Sequence, residues 1–300
     1  MDEIINFSAI DTYIYQILLI DLVIAVAMIS ALRFITGIVA NVDSAEELAT
    51  RDNVAFGIAM AAGILALALM LTGAVSGEPG VTYINEIVSV LAYGILGLLL
   101  IKVGRLMQDK TVLRGIEIQS QIKSGNTAAA LVDAANTLAT GLVLRAVMIW
   151  VESDTLGGLL SVLAAFVITQ LLMALVASYR GWVYARRHDG NSLQSAFADR
   201  QTALSVRFFG HLMGVALAIT AASGVVAYQA DDLIVAIILW ALVSLGFTIL
   251  VSLISALARM VVLMGVDVVE EVDQQNNVGV AAIEAAIAIS TGLFFVALFA

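Results

Sequence analysis

The sequence predicts an all-α integral membrane protein, with eight transmembrane helices arranged as four parallel two-helix hairpin repeats of about 75 residues. Three observations carry this prediction. Of the 300 residues, 61% are hydrophobic and only 13% charged, and the mean hydropathy is +1.02. Eight apolar segments are each long enough to cross a bilayer. Short polar motifs recur along the chain at a nearly constant spacing. A soluble domain carries about 25% charged residues, and its exterior could not hold this much apolar surface in water. The composition excludes a soluble globular protein, a disordered chain and a nucleic-acid binder.

The spans are read at 14–39, 54–76, 82–104, 127–150, 156–180, 202–226, 232–258 and 278–300. A spanning helix needs roughly 20 apolar residues for about 30 Å of hydrocarbon. Backbone groups without water must pair within a helix or a closed barrel. These segments are too long and too continuously apolar to be alternating barrel strands. The single proline, Pro79, leaves the helices unkinked by proline. The start, Met1-Asp2-Glu3, is acidic where a signal peptide is basic, so no cleaved leader is expected and the first helix serves as its own insertion signal.

The connections alternate. Those at 40–53, 105–126, 181–201 and 259–277 are long, and with their helix ends they hold 12 of the 14 basic residues. The connections at 77–81, 151–155 and 227–231 are short, contain no Lys or Arg, and carry Glu78, Glu152, Asp154 and Asp231. The positive-inside rule then places the long loops in the cytoplasm and both termini outside, in a multi-pass protein of the bacterial inner membrane. Ser44–Ala49, Val112–Ile122 and Ser192–Ala198 have helical composition and are expected to extend the odd helices or lie along the interface.

Four helix openings on that side look alike: Asp52-Asn53-Val54-Ala55, Gly125-Asn126-Thr127-Ala128, Arg200-Gln201-Thr202-Ala203 and Asn276-Asn277-Val278-Gly279. Positions 53, 126, 201 and 277 are spaced by 73, 75 and 76 residues, and a basic residue (Arg33, Arg105, Arg180, Arg259) ends each preceding helix. Each unit begins and ends outside, so the repeats are parallel in topology, unlike those of inverted-repeat transporters. Asn53, Asn126 and Asn277 stand where an N-cap is needed, and Asn is among the best caps; an ion- or ligand-binding role is the other reading. These tandem units and their Asn-x-Ala openings resemble the domain-of-unknown-function 350 family, the YjfL-like bacterial membrane proteins. The resemblance implies two tandem copies, at 1–151 and 152–300, with Gln201 departing from the motif. It further implies an integral inner-membrane protein linked to envelope-stress systems, and it brings no catalytic residues with it.

Ionisable groups inside the spans cost a few kcal/mol each and must face the bundle or water. The candidates are Asp21, Asp133, Arg145, Arg207, His211 and Glu284. Glu86 is read as interfacial, and Arg145 as snorkelling to the outer surface. Asp133 and Glu284 each follow their cap by seven residues, and Thr140 and Thr291 follow by seven more. Asp133, Asn136, Thr137 and Thr140 make one polar stripe. The first and third units carry Met60 and Phe208 where the others have an acid. Arg207 and His211 share a helix face beside the small pair Gly210 and Gly214.

One reading is a buried ion-pair network with Arg207 neutralising one or both acids. Another is an ion or proton pathway through Asp133, Glu284, Asn136, Thr140 and Thr291, tuned by Arg207 and His211, with Asp21 either lining an outer vestibule or pairing with another helix. A third is a small-ligand pocket. The sequence is read first as an ion- or proton-conducting channel or transporter using the intramembrane acids; the alternative is a non-catalytic membrane scaffold that binds a cytoplasmic protein through the long loops, in the envelope-stress setting the resemblance implies. Beyond the lipid bilayer, the Gly- and Ala-rich faces suit contacts within the chain or in a homo-oligomer. No cysteine and only two histidines leave no basis for a disulfide, thiolate or histidine metal site, and no cofactor is expected. The chain has no GxSxG elbow, HExxH, P-loop or Rossmann fingerprint, and Ser205 has no evident base, so no enzymatic activity is expected.

Overall fold

The computed structural model describes residues 12–40, 42–76, 82–151 and 156–300. The acidic start and the short-loop residues Glu78, Pro79, Glu152 and Asp154 lie outside the described residues. Among the described residues eight helices are long and apolar enough to cross a membrane, at the eight predicted places: α1 (Thr12–Ala40), α2 (Val54–Ala74), α3 (Tyr83–Thr111), α5 (Thr127–Trp150), α6 (Leu156–Arg187), α8 (Thr202–Ala222), α9 (Leu233–Val262) and α10 (Val278–Phe299). The short helices α4 (Ile118–Lys123) and α7 (Leu193–Ala198) and the π-helical turns Glu46–Thr50 and Glu270–Gln274 occupy the long connections.

The helix expected over Val112–Ile122 begins only at Ile118. The chain turns at Gly115, whose φ is +92°, and Val112, Leu113 and Ile116 are buried in that turn. The turn at Glu270–Gln274 is too acidic to show an apolar period, and sequence reasoning did not find it. α3, α6 and α9 continue to Thr111, Arg187 and Val262, past the ends of their predicted spans.

The hairpins stand side by side in two rows. α2, α5, α8 and α10 pack in that order, and α1, α3, α6 and α9 form the second row against them. α5 and α8 are buried along most of their length, α2 and α10 along less than half, so the inner row has two open ends. Lipid offers no hydrophobic drive between helices, so close backbone contact through small residues holds such a row. A Cβ on Gly141 would lie 2.7 Å from Cα of Ala66, and one on Gly214 would lie 2.9 Å from the carbonyl oxygen of Ala288. At the opposite end from the caps, Trp150 donates to the Val226 carbonyl, meets Tyr228 edge-on and stacks on Trp240 at 5.8 Å. That cluster joins the two halves of the chain.

Gly141→Ala is expected to lower the thermal unfolding midpoint in detergent, with an overpacking cost of about 1–3 kcal/mol. Gly246→Ala, where a Cβ meets nothing within 4 Å, should leave the midpoint unchanged or raise it.

Candidate functional site

Each inner-row helix opens in the same way. The residue before the cap is left-handed in every unit: Asp52 (φ 47°), Gly125 (φ 76°), Arg200 (φ 62°) and Asn276 (φ 53°). The backbone N–H of the cap residue then closes the turn onto the carbonyl of Glu47, Gln121, Ala196 or Glu271. Asn53 Oδ1 accepts from Phe56 N at 3.1 Å, Asn126 Oδ1 from Ala128 N at 3.0 Å and Ala129 N at 3.2 Å, and Asn277 Oδ1 from Val280 N at 3.2 Å. The capping reading of the three asparagines therefore matches their geometry.

The amide side of the cap does something the sequence did not disclose. Asn53 Nδ2 donates to the carbonyl of Ile122 at 3.1 Å, at the end of α4 in the next unit. Asn126 Nδ2 donates to the carbonyls of Phe197 at 2.9 Å and Ala198 at 3.2 Å, at the end of α7. One side chain thus satisfies the start of its own helix and the end of its neighbour's connector. Gln201 makes no side-chain cap bond, and its buried Oε1 has no partner among the described residues. Asn276 of the fourth unit accepts from Ala203 N at 2.8 Å in its stead.

The two repeat-matched acids are both held by arginine. Asp133 on α5 faces Arg105 of α3, Oδ2 to Nη2 3.0 Å, while Arg105 Nε donates to Thr137 at 2.7 Å. Glu284 on α10 accepts from Arg207 Nε at 2.6 Å and from Arg259 Nη1 at 3.0 Å. Arg207 also pairs with Asp273 and donates to the Val268 carbonyl at 3.1 Å. Arg207 therefore neutralises Glu284 but not Asp133. The partners that sequence reasoning missed are Arg105 and Arg259, the basic residues ending the first helix of the hairpins that carry the acids. The readable signal was that a helix-end arginine and an acid seven residues past the cap belong to the same hairpin.

The remaining candidates do not converge. Thr140 donates to the Asn136 carbonyl and accepts from Gln170, which also accepts from Gln108. Asn136 Oδ1 is buried without a partner. Thr291 bonds back to the Ile287 carbonyl at 2.8 Å and borders an apolar groove. Asp21 sits beside Glu86 of α3. Glu86 lies in the first turn of α3 and is buried against its neighbours. Arg145 donates to Thr72 at 3.1 Å in an exposed position. A cavity of about 310 Å³ is bordered by Arg180, Arg207, His211, Arg259, Asp273 and Glu284, among others, but not by Asp133.

The family model described as Domain of Unknown Function (DUF350) matches residues 9–148 and again 154–299. The chain belongs to this family. It carries two tandem DUF350 copies, each of two hairpins. No curated protein and no solved structure matches the chain.

Asn126→Ala in this DUF350 protein removes a cap and takes the amide donor from two connector carbonyls, those of Phe197 and Ala198. It should cost about 1–3 kcal/mol in thermal or denaturant unfolding. Gln201→Asn should move the same readout the other way, by about 0.5–1 kcal/mol, because the backbone at Gln201 (φ −70°, ψ 84°) matches that at Asn53 (φ −72°, ψ 89°).

Proposed function

We propose that this membrane protein is a non-catalytic scaffold whose intramembrane charges fasten helices rather than move ions. The observation that carries this reading is the arginine on each repeat-matched acid: Arg105 on Asp133, and Arg207 with Arg259 on Glu284. A carboxylate that serves as a cation or proton site must be open to its ion. Removing one partner of a buried pair leaves a costly lone charge, which keeps such pairs closed. Conduction through the two acids has less support, because the cavity beside Glu284 does not reach Asp133. That cavity also carries more guanidinium than carboxylate, which opposes cation entry.

The cap end of the bundle suits a protein partner. Its connections expose Glu46, Arg51, Lys110, Arg114, Lys123 and Arg186 on ordered turns and helix ends. The positive-inside rule puts that surface in the cytoplasm. The envelope-stress setting rests on the family resemblance alone.

A second reading has its own observation. In the hairpins with an acid, the helix-end arginine is spent on it; the third unit has Phe208 at that position. Arg180 accordingly makes no ion pair among the described residues, and its Nε is buried without a partner, as is His211 Nε2. Both border the cavity, with Arg207 and Arg259 beside them. The fitting ligand for such a pocket is an anion of phosphate size, free or on a lipid headgroup.

Three measurements bear on these readings. Proteoliposomes of the wild type should pass protons, Na⁺ and K⁺ no faster than empty vesicles. Flux that disappears in a stably folded Asp133→Asn, Glu284→Gln variant would overturn the scaffold reading. Arg105→Met should lower stability by about 3 kcal/mol, and adding Asp133→Asn should restore part of it. Inorganic phosphate or an anionic phospholipid should raise the melting temperature of the wild type but not that of Arg180→Gln; equal shifts in both proteins would remove the anion reading.

A further inference from the structure

We infer that the row of hairpins continues from one molecule to the next, the α10 face of one copy docking on the α2 face of a second, head to tail. This goes beyond the scaffold reading and does not depend on it.

The interface is already present inside the chain. Counting from each cap residue, positions +2, +9 and +13 are Ala55, Ala62 and Ala66 in the first unit, Ala128, Ala135 and Ala139 in the second, and Ala203, Gly210 and Gly214 in the third. All nine are buried. Ala66 receives Gly141 of the next helix, Gly210 lies against Ala285, and Gly214 lies against Ala288. The fourth unit repeats the pattern with Gly279, Ala286 and Ser290, and here all three are exposed. A helix meant only for lipid has no need of small residues at those three register positions.

The other end of the row is its complement. The side that receives a preceding helix uses +8 and +15, seen as Ala285 and Gly292 on α10. On α2 these positions are Ala61, which is exposed, and Ala68, which is partly exposed. The polar seam is likewise half made. Each of the three asparagines donates to a side chain of its own connector; Asn53 and Asn126 also donate to the end of the following connector, whereas among the described residues Asn277 Nδ2 meets Glu271 alone, at 2.7 Å. The equivalent acceptors, the carbonyls of Ala49 and Thr50, belong to exposed residues of the first unit. The unmatched donor side on the fourth unit and the unmatched acceptor side on the first are those of one interface. A contact between unlike faces is heterologous, so it builds a ring or an open row rather than an isologous dimer.

The chain has no cysteine, which makes the test direct. Full-length Ala286→Cys and Ala61→Cys variants, carrying different tags, are co-expressed and oxidised in native membranes. The expected product is a mixed-tag dimer, and the Ala61→Cys, Ala286→Cys double variant should give a ladder or a single closed oligomer. Both sites are exposed, so neither change disturbs packing within a molecule. In the Ser290→Cys with Ala68→Cys pair, Ala286→Leu should reduce cross-linking at least tenfold while the detergent-solubilised protein stays monodisperse. Same-tag dimers alone would overturn the inference. So would a mixed-tag yield no higher than that of Leu171→Cys with Leu175→Cys, two exposed positions on α6, away from both ends of the row.

Discussion

A helix that begins at a membrane surface leaves its first backbone N–H groups without partners, and the connector that precedes it leaves its last carbonyls equally bare. In this protein one asparagine answers both. Its oxygen takes an N–H of its own helix, and its amide reaches the carbonyl end of the next unit's connector. That double duty fixes the height of α2 and of α5 against the unit that follows each of them. Once the heights are fixed, small residues at +2, +9 and +13 fall opposite the next helix, and the backbones can close to contact. The row follows from the cap, and the outer helices cover one side of it.

The charges follow the same logic of local completion. A guanidinium at the end of an outer helix meets a carboxylate two turns into the inner helix of its own hairpin, in the second unit and again in the fourth. Where the acid is replaced by Phe208, the arginine is left over and a cavity forms beside it. Where the cap asparagine is replaced by Gln201, the neighbouring Asn276 takes over the N–H. The third unit thus departs from the repeat twice. One departure is repaired by a borrowed side chain, and the other leaves Arg180 without an ion pair among the described residues.

The spans, the hairpin period and the cap positions were legible in the sequence because each rests on a local rule: an apolar length, a recurrence, an N-cap preference. Asp133 and Glu284 were legible as a matched pair for the same reason. Their partners were not. Arg105 and Arg259 stood out only as markers of helix ends, and whether they reach the acids depends on how the two helices of a hairpin are rotated. Asp273 was hidden in a π-helical turn with no apolar period, and it accepts from Arg207 across the bundle. The amide half of the cap was invisible for a related reason, since its acceptors lie 69 to 72 residues away along the chain.

The claim on which this account rests is that the cap asparagine couples neighbouring units rather than only starting a helix. Hydrogen exchange on the Asn126→Ala variant in detergent or nanodiscs tests it most directly. The account predicts faster exchange on both sides of the seam, in 127–130 of the capped helix and in 193–202 of the following connector, with 46–56 unchanged. Faster exchange confined to 127–130 would contradict it and reduce the asparagine to an ordinary helix cap.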